Sequence, residues 1–352
     1  NFSSTTIPDL LIEFQRKTGI VDYPLLNQLG KKAIVFTDRP DHTRLRMLVG
    51  KCFTPNTIRR FHTLMTEIAK RLISQFKTNT EFDFIKEIAS PYTMKVLLQI
   101  MGIADIHSQK IDYWSTNLRF LLEPGFLTPK RLNKIYRILE ECYQYFEQIV
   151  RQKAEHPGSD LISEFWHTQS SCGDRLDKDE IIYSCIMVFV AGRETTKCLL
   201  GNSIEILARH PIEYSELRRD PNKITNAIDE ILRLDSPLQL TKRHCSKDVV
   251  INGEVIHKNE QVLLCLGAAN RDPDYFPDPD SFLIDRPRTV NLAMGHGIHN
   301  CLGAQLSKLM TQVILDALLP HWLQIHCVDP SSPRINSSFI LRGFSSLNIS
   351  IN

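Results

Sequence analysis

Gly295, Gly297, His299, Cys301 and Gly303 fall on every second position of the stretch Met294-Gly-His-Gly-Ile-His-Asn-Cys-Leu-Gly. Glycines let a backbone turn tightly and approach a flat ligand closely. Cys301 stands just before an apolar run that reads as a helix, and the free N–H groups and dipole of a helix start favour a thiolate. Zinc needs three or four protein ligands, and the spacing supplies no such set. One thiolate alone suits the axial position of an iron already held by a macrocycle. A buried structural cysteine in a glycine-rich turn is the plain alternative.

Three further groupings carry chemistry-bearing side chains. Glu230 and Arg233 stand at i,i+3 between Pro221 and Pro237; on their own, such pairs are mostly solvated surface contacts. In Asp38-Arg-Pro-Asp-His-Thr-Arg-Leu-Arg, His42 and Arg46 lie one helical turn apart. That face suits carboxylates, Arg46 above all, and equally reads as a solvated helix start. Ala191-Gly-Arg-Glu-Thr-Thr sits in the middle of the longest helical stretch. Gly and paired Thr are poor mid-helix residues, and Thr can bond back to a carbonyl and bend the helix. An acid, an alcohol and a local opening make a proton relay; a kink without chemistry is the other reading.

The Gly-x-Gly-x-His-x-Cys-x-Gly stretch resembles the haem-binding signature of the cytochrome P-450 superfamily, the haem-thiolate monooxygenases. That family usually has Phe before the first glycine. Met294 stands there, similarly bulky and polarizable, so altered redox tuning is expected rather than lost haem. The resemblance implies haem b (heme b, iron protoporphyrin IX) with Cys301 as its iron ligand and Gly295, Gly297, Gly303 and Ala191 against the cofactor. It puts His42, Arg46, His299 and Arg243, the last in Leu240-Thr-Lys-Arg-His, on the propionates. Glu230 and Arg233 resemble the family's Glu-x-x-Arg pair, which pins the loop beneath the haem. The polar stretch Asn270–Arg288 is its expected partner, with Arg271 or Arg286 as a third member. Ala191–Thr195 is similar to the family's Ala-Gly-x-acid-Thr motif, which assigns Thr195 and Glu194 to proton delivery for O–O cleavage. Arg193 takes the variable position and is expected to tune the acid.

These groups need a helical frame, and most of the sequence reads helical. Thr57–Phe76, Pro129–Lys153, Asp177–His210 and Leu302–Leu319 carry helical apolar spacing. Asp177-x-x-Glu180 is a capping box, and Pro211 stops that helix. Strand signals lie late: a hairpin around Asn252-Gly253, then Gln261–Leu266 and Ser346–Ile351. The expected fold is mainly α with a small β region, the cytochrome P-450 fold, with residues 1–352 as a single haem domain. The resemblance also implies a helix and strands before Asn1 that this sequence does not contain.

The chain has 352 residues, with 42 Lys+Arg against 40 Asp+Glu, so bulk charge does not point to nucleic acid. Nine scattered cysteines without C-x-x-C argue against a disulfide framework and for a reducing, cytoplasmic setting. No apolar stretch is long enough to span a bilayer. The family reading is a soluble, bacterial-type monooxygenase. It inserts one atom of O2 into a small lipophilic substrate with two electrons from a ferredoxin and ferredoxin reductase, or a flavodoxin. Lys51, Arg59, Arg60 and Lys308 form a candidate basic face for that donor. A peroxide-driven peroxygenase and a non-catalytic haem protein that recruits a partner are the alternatives. By family position the substrate pocket draws on Asn1–Phe36, Leu118–Phe126, Met187–Ala191, Pro237–Leu240 and Phe339-Ile340, with Gln239 and Arg193 as its polar members.

Overall fold

Asp177 and Glu180 bond reciprocally in the computed structural model. The Glu180 amide donates to Asp177 Oδ1 and the Asp177 amide to Glu180 Oε2, both at 2.9 Å. That box starts a 32-residue helix, Lys178–Arg209, about 48 Å long. The structure describes residues 1–5, 7, 11, 23–123, 127–287, 290–329, 331–335 and 337–352. Parts of the expected pocket segments 1–36 and 118–126, and the last residue of the 270–288 stretch, lie outside the described residues.

The described helices are α1 (Pro24–Lys32), α2 (Asp41–Lys51), α3 (Pro55–Arg59), α4 (His62–Ile73), α5 (Ser90–Ile100), α6 (Ser108–Leu118), α7 (Pro129–Glu155), α8 (Leu161–His167), α9 (Lys178–Arg209), α10 (Pro211–Arg219), α11 (Ile224–Leu234), α12 (Leu266–Ala269) and α13 (Ala304–Leu318). The strands are β1 (Phe2–Ser3), β2 (Thr80–Asp83), β3 (Leu240–Cys245), β4 (Val249–Ile251), β5 (Glu254–Ile256), β6 (Gln261–Cys265), β7 (Ile325–Cys327) and β8 (Asn348–Ile351). The architecture is mainly helical with small sheets, as expected. The helix expected over 57–76 is divided into α3 and α4. The chain turns at Arg60–Phe61, burying Phe61 beneath the Arg60 guanidinium at 4.7 Å. No proline or glycine marks that turn; tertiary burial overrides the helical spacing.

Two compact units share the chain, each assembled from three segments. The first takes Asn1–Cys52, Leu98–Ala191 and Thr241–Leu264. Its frame is α7, whose apolar residues Leu132, Ile135, Leu139, Cys142, Phe146 and Val150 recur on one face and are all buried. α6, α8 and α1 pack against it. Trp114 of α6 is buried and donates through Nε1 to Glu141 of α7 at 3.2 Å. Tyr183 of α9 donates to the Leu25 carbonyl at 3.0 Å, and Lys32 pairs with Asp177 and Asp179 at 2.7 and 3.1 Å. The unit also carries a three-stranded sheet in the order β1-β3-β6, and β4 and β5 form the hairpin read from Asn252-Gly253. Both turn residues have positive φ, 53° and 87°, as a two-residue hairpin requires.

The second unit takes Phe53–Leu97, Gly192–Leu240 and Cys265–Asn352. Here α13 packs against α4 and α11. Buried Tyr92 of α5 donates to the Met310 carbonyl of α13 at 3.2 Å. The sheet order is β2-β8-β7, with Thr80 opposite Ile351 and Asp83 opposite Asn348. Ile349 and Ile351 of β8 are fully buried. No helix among the described residues is long and apolar enough to cross a membrane.

Candidate active site

The glycine-rich loop lies in the second unit. Gly295 and Gly297 adopt φ of 70° and 76°, a region that costs side-chain-bearing residues strain. The loop closes on itself through the Cys301 amide, which donates to the Met294 carbonyl at 2.7 Å. Cys301 is exposed and stands two residues before Gly303, the N-cap of α13. No side chain caps that helix and no acid occupies its first turn, so its leading N–H groups remain to favour an anion. A Cβ on Gly297 or Gly303 would meet nothing within 4 Å, so the loop presents an open face. Among the described residues no group of three His, Cys, Asp or Glu side chains is placed to hold a metal ion. An exposed cysteine on an open glycine loop, outside any such group, fits an iron already held by a macrocycle.

Glu230 and Arg233 support this loop from α11. Their side chains are 5% and 2% exposed, and the guanidinium grips the carboxylate with two bonds of 2.8 Å. Arg233 also donates to the carbonyls of Asn270, Pro279 and Ser281 at 2.9, 2.7 and 3.0 Å. Of the two candidates for a third member, the structure selects Arg286, whose Nε lies 2.8 Å from Glu230 Oε1. Arg271 instead bonds the Leu234 carbonyl and Asp280. Asn270 was not legible as a functional residue. It is fully buried, donates to Ser236 Oγ at 2.9 Å and accepts from the Leu292 amide at 2.6 Å. It therefore couples the Arg233 cluster to the start of the thiolate loop. The only sequence sign was its place at the head of the polar, proline-punctuated stretch.

Helix α9 is buried along most of its length, yet Met187, Val188, Ala191, Gly192 and Thr195, spaced at i, i+1, i+4, i+5 and i+8, are not; Ala191 is exposed. They form one less buried stripe along the middle of the helix. The two threonines differ. Thr196 is buried and donates to Ser307 of α13 at 3.1 Å, whereas Thr195 lies on the stripe. The expected local opening at Ala191–Thr196 is not present, because α9 runs through these residues without interruption. Packing around the helix outweighs the poor propensity of Gly and Thr. Arg193 is also not a polar pocket residue. It is buried, its guanidinium 2.6 Å from Glu194 and 3.2 Å from Ser90 of α5.

In the first unit, His42 of α2 is buried. Burial pushes its imidazole below the ordinary range and the Arg46 charge adds to this, with Asp38 opposing. An anion on this face would meet a neutral ring N–H beside a guanidinium. Asp38 ties the start of α2 to β1, accepting from the Ser3 hydroxyl at 2.5 Å and the Ser4 amide at 3.1 Å. Arg243 of β3 is half-buried, which pushes its guanidinium down while Asp38 pushes it up. It donates to Thr241 Oγ1 and the Lys242 carbonyl.

The expected pocket segments divide between the units. In the first, Phe36, Leu118, Leu121, Leu122, Met187 and Val190 surround a wholly apolar void of ≈ 10 Å³, room for about one water. In the second, 237–239 and 340–342 come together: the Gln239 amide donates to the Ile340 carbonyl at 2.8 Å and the Arg342 amide to Pro237 at 2.9 Å. The Gln239 side chain spends its amide on the Ser236 carbonyl and packs on Gly267. Buried Asp235 holds both Arg334 and Arg342, and Asn202 of α9 bonds the carbonyls of Asp235 and Arg342. Of the candidate basic residues, Lys308 pairs with Asp229, while Lys51 donates to the Gln169 carbonyl and keeps its charge.

Comparison with known proteins decides the family. The cytochrome P450 family matches residues 11–342. The biotin biosynthesis cytochrome P450 of Bacillus subtilis is 33% identical over 307 residues, 87% of this chain and 77% of that protein. The chain belongs to the cytochrome P450 family. It is thus a cytochrome P450 monooxygenase whose cofactor is a haem held by a thiolate, and it depends on a redox partner for electrons. The vitamin D(3) 25-hydroxylase of Pseudonocardia autotrophica is 33% identical over 286 residues, 81% of this chain and 69% of that protein. The fold matches P450BioI, solved with an acyl carrier protein bearing hexadec-9Z-enoic acid, at a TM-score of 0.87 and 31% identity. That match covers 95% of this chain and 84% of the other.

Proposed function

We propose that this P450 oxygenates a small lipophilic substrate, with Cys301 as the iron ligand and the whole chain acting as one haem domain. The observation that carries the residue assignment is the exposed Cys301 sulfur at the uncapped start of α13, behind two positive-φ glycines. Gly295, Gly297, Gly303 and Ala191 would be the cofactor's neighbours, and His42, Arg46, Arg243 and His299 would serve its propionates. When bound, the haem supplies dioxygen activation. The protein holds that group by one sulfur, fixes the loop through Glu230, Arg233 and Arg286, and keeps bulk water from the chemistry with aliphatic walls. Thr195 positions a water from the less buried stripe of α9, and Glu194 passes it protons. Apolar lining around Phe36, Leu118 and Met187 supports a lipophilic substrate, as do the fatty acyl group carried by the partner of P450BioI and the vitamin D(3) of the Pseudonocardia hydroxylase. Electrons come from a small ferredoxin with its reductase, or from a flavodoxin. Nine scattered cysteines without a C-x-x-C pair favour the reducing cytoplasm.

Thr195→Ala tests this reading. The variant is expected to keep its haem and its substrate-induced spectral shift, since Ala suits a helix interior and the Thr195 side chain is only half-buried. It should consume NADPH through a surrogate ferredoxin and reductase but release the electrons largely as hydrogen peroxide. Loss of one positioned proton-transfer group costs about 10²–10⁴ in rate. Product and peroxide formed per NADPH, after a spectral screen of lipids has found a substrate, are the measurements. Unchanged coupling would favour the peroxide-driven alternative or a non-oxygenase role.

A further inference from the structure

A carboxylate at the C-terminal end of a helix meets the negative end of its dipole and is placed there at a local cost. Asp235 is such a residue: it caps the C-terminus of α11 and is only 4% exposed. Its charge is answered from one excursion of the chain, residues 334–344. Arg334 on the incoming leg lies 3.0 Å from Oδ2, and Arg342 on the outgoing leg reaches Oδ1 through Nε. The two legs also pair with each other. Arg334 stands opposite Phe344, and the Ile335 amide donates to the Gly343 carbonyl at 2.9 Å. Asn202 of α9 is fully buried and fills the remaining corner. It donates to the carbonyls of Asp235 and Arg342 at 3.0 and 3.2 Å and accepts from Arg334 at 3.2 Å. At Gly343 the excursion runs so close to α9 that a Cβ would meet Cys198 Sγ at 2.5 Å.

The tip of this excursion, residues 338–341, holds the two expected pocket residues Phe339 and Ile340. Ser338 Oγ accepts from the Leu341 amide at 2.9 Å, and the Gln239 amide donates to the Ile340 carbonyl at 2.8 Å. Ile340 and Leu341 are buried, whereas the Phe339 ring is 54% exposed. We propose that Asp235 is a positioning residue for substrate selection: by clasping Arg334 and Arg342 it fixes the turn at 338–341, and so the place where Phe339 meets the substrate. This rests on the reading of residues 237–240 and Phe339-Ile340 as pocket walls. A single carboxylate suffices because it ties both legs of the excursion to one point at the end of α11. The Arg334 and Arg342 side chains are 33% and 47% exposed, unlike the buried arginines around Glu230. Released from Asp235, their charged heads can turn to water. Losing the clasp therefore loosens the turn and leaves the fold standing.

The test uses the ferric holoenzyme and three probes that differ in their tails: imidazole, phenylimidazole and dodecylimidazole. Each binds haem iron through nitrogen and shifts its spectrum, so affinity is read without turnover. Imidazole carries no tail to meet a pocket wall and serves as the control. Asp235→Asn keeps the shape and removes the charge. It should retain wild-type haem content and imidazole affinity. Relative to imidazole, the two tailed probes should bind at least about fivefold more weakly, because a loosened wall must be ordered on binding. Hydrogen–deuterium exchange over 338–344 should quicken at least about tenfold. Unchanged exchange, or faster exchange with unchanged probe ratios, overturns the clasp. Arg334→Gln frees one leg only and should move both readouts the same way by less. If Asp235→Asn fails to fold, Arg334→Gln decides alone. Phe339→Ala leaves the clasp in place and should also lower the affinity for the tailed probes relative to imidazole. Unchanged ratios in Phe339→Ala overturn the pocket reading, and the proposal with it. Ratios that change in Phe339→Ala but not in Asp235→Asn overturn the clasp alone.

Discussion

Cys301→Ser should abolish the long-wavelength absorption of the reduced carbon monoxide adduct that marks a haem held by a thiolate. A serine oxygen at the same place is harder and far less able to push electron density onto iron. The uncapped start of α13 stabilises a soft anion there but does not by itself ionise an alcohol. Haem retained in the variant should give the shorter-wavelength band, and turnover should fall to background. The controls come from the other cysteines. Cys142 and Cys185 are fully buried, and burial pushes both thiols well up, so they are inert. Cys172 is the sharper control: it is exposed, and hydrogen bonds with Ser170 and the Asp174 backbone push its thiol down. Its thiol is shifted toward the anion but it lacks the glycine loop, so Cys172→Ser should leave the band intact. Loss of the band in Cys172→Ser, or its survival in Cys301→Ser, would overturn the ligand assignment.

Glu230→Ala should yield mostly haem-free or insoluble protein. The carboxylate accepts from Arg233, Arg286 and the Leu283 amide inside the second unit. Its removal strands two cations whose side chains are 2% and 8% exposed. Breaking a buried pair this way costs about 3–5 kcal/mol, against a typical total of about 5–15 kcal/mol for a domain. Glu230→Gln keeps the shape without the charge and should fall between. The haem-to-protein ratio and the thermal midpoint of the purified variants are the readouts. Full haem content with an unchanged midpoint in Glu230→Ala would refute the structural role.

Local chemistry was legible where a few residues dictate it. The Asp177–Glu180 box, the Asn252-Gly253 turn and the Gly295–Gly303 loop each owe their shape to their own side chains or their lack of them. The Glu230–Arg233 pair was legible too, but the choice between Arg271 and Arg286 was not. Both arginines belong to one polar stretch, and only the folded path of that stretch brings Arg286 to the carboxylate. Asn270 escaped for the same reason: an amide becomes a coupling element only when three separated backbone segments converge on it. The break at Arg60–Phe61 and the unbroken helix through Ala191–Thr196 are opposite failures of propensity, each overridden by what the neighbouring side chains bury. Gln239 and Arg193 looked like pocket polarity because composition does not reveal that Ser236, Ser90 and Glu194 already occupy them.

Strand β8 lies between β2 and β7, and Asp83 Oδ1 accepts from the Leu347 amide across 264 residues. Closing a loop of that length has a length-dependent entropic cost of about 5 kcal/mol before the ladder returns anything. On a ribosome adding about 5–20 residues per second, Thr80–Asp83 waits roughly ten seconds to a minute for its partner strand. Throughout that interval the segment is an unpaired edge carrying one aromatic ring, Phe82, and its charged neighbours Glu81 and Asp83 guard it against other chains. The yield of this protein in a host cell is then a race between synthesis of residues 348–351 and the wrong pairings those two acids hold off.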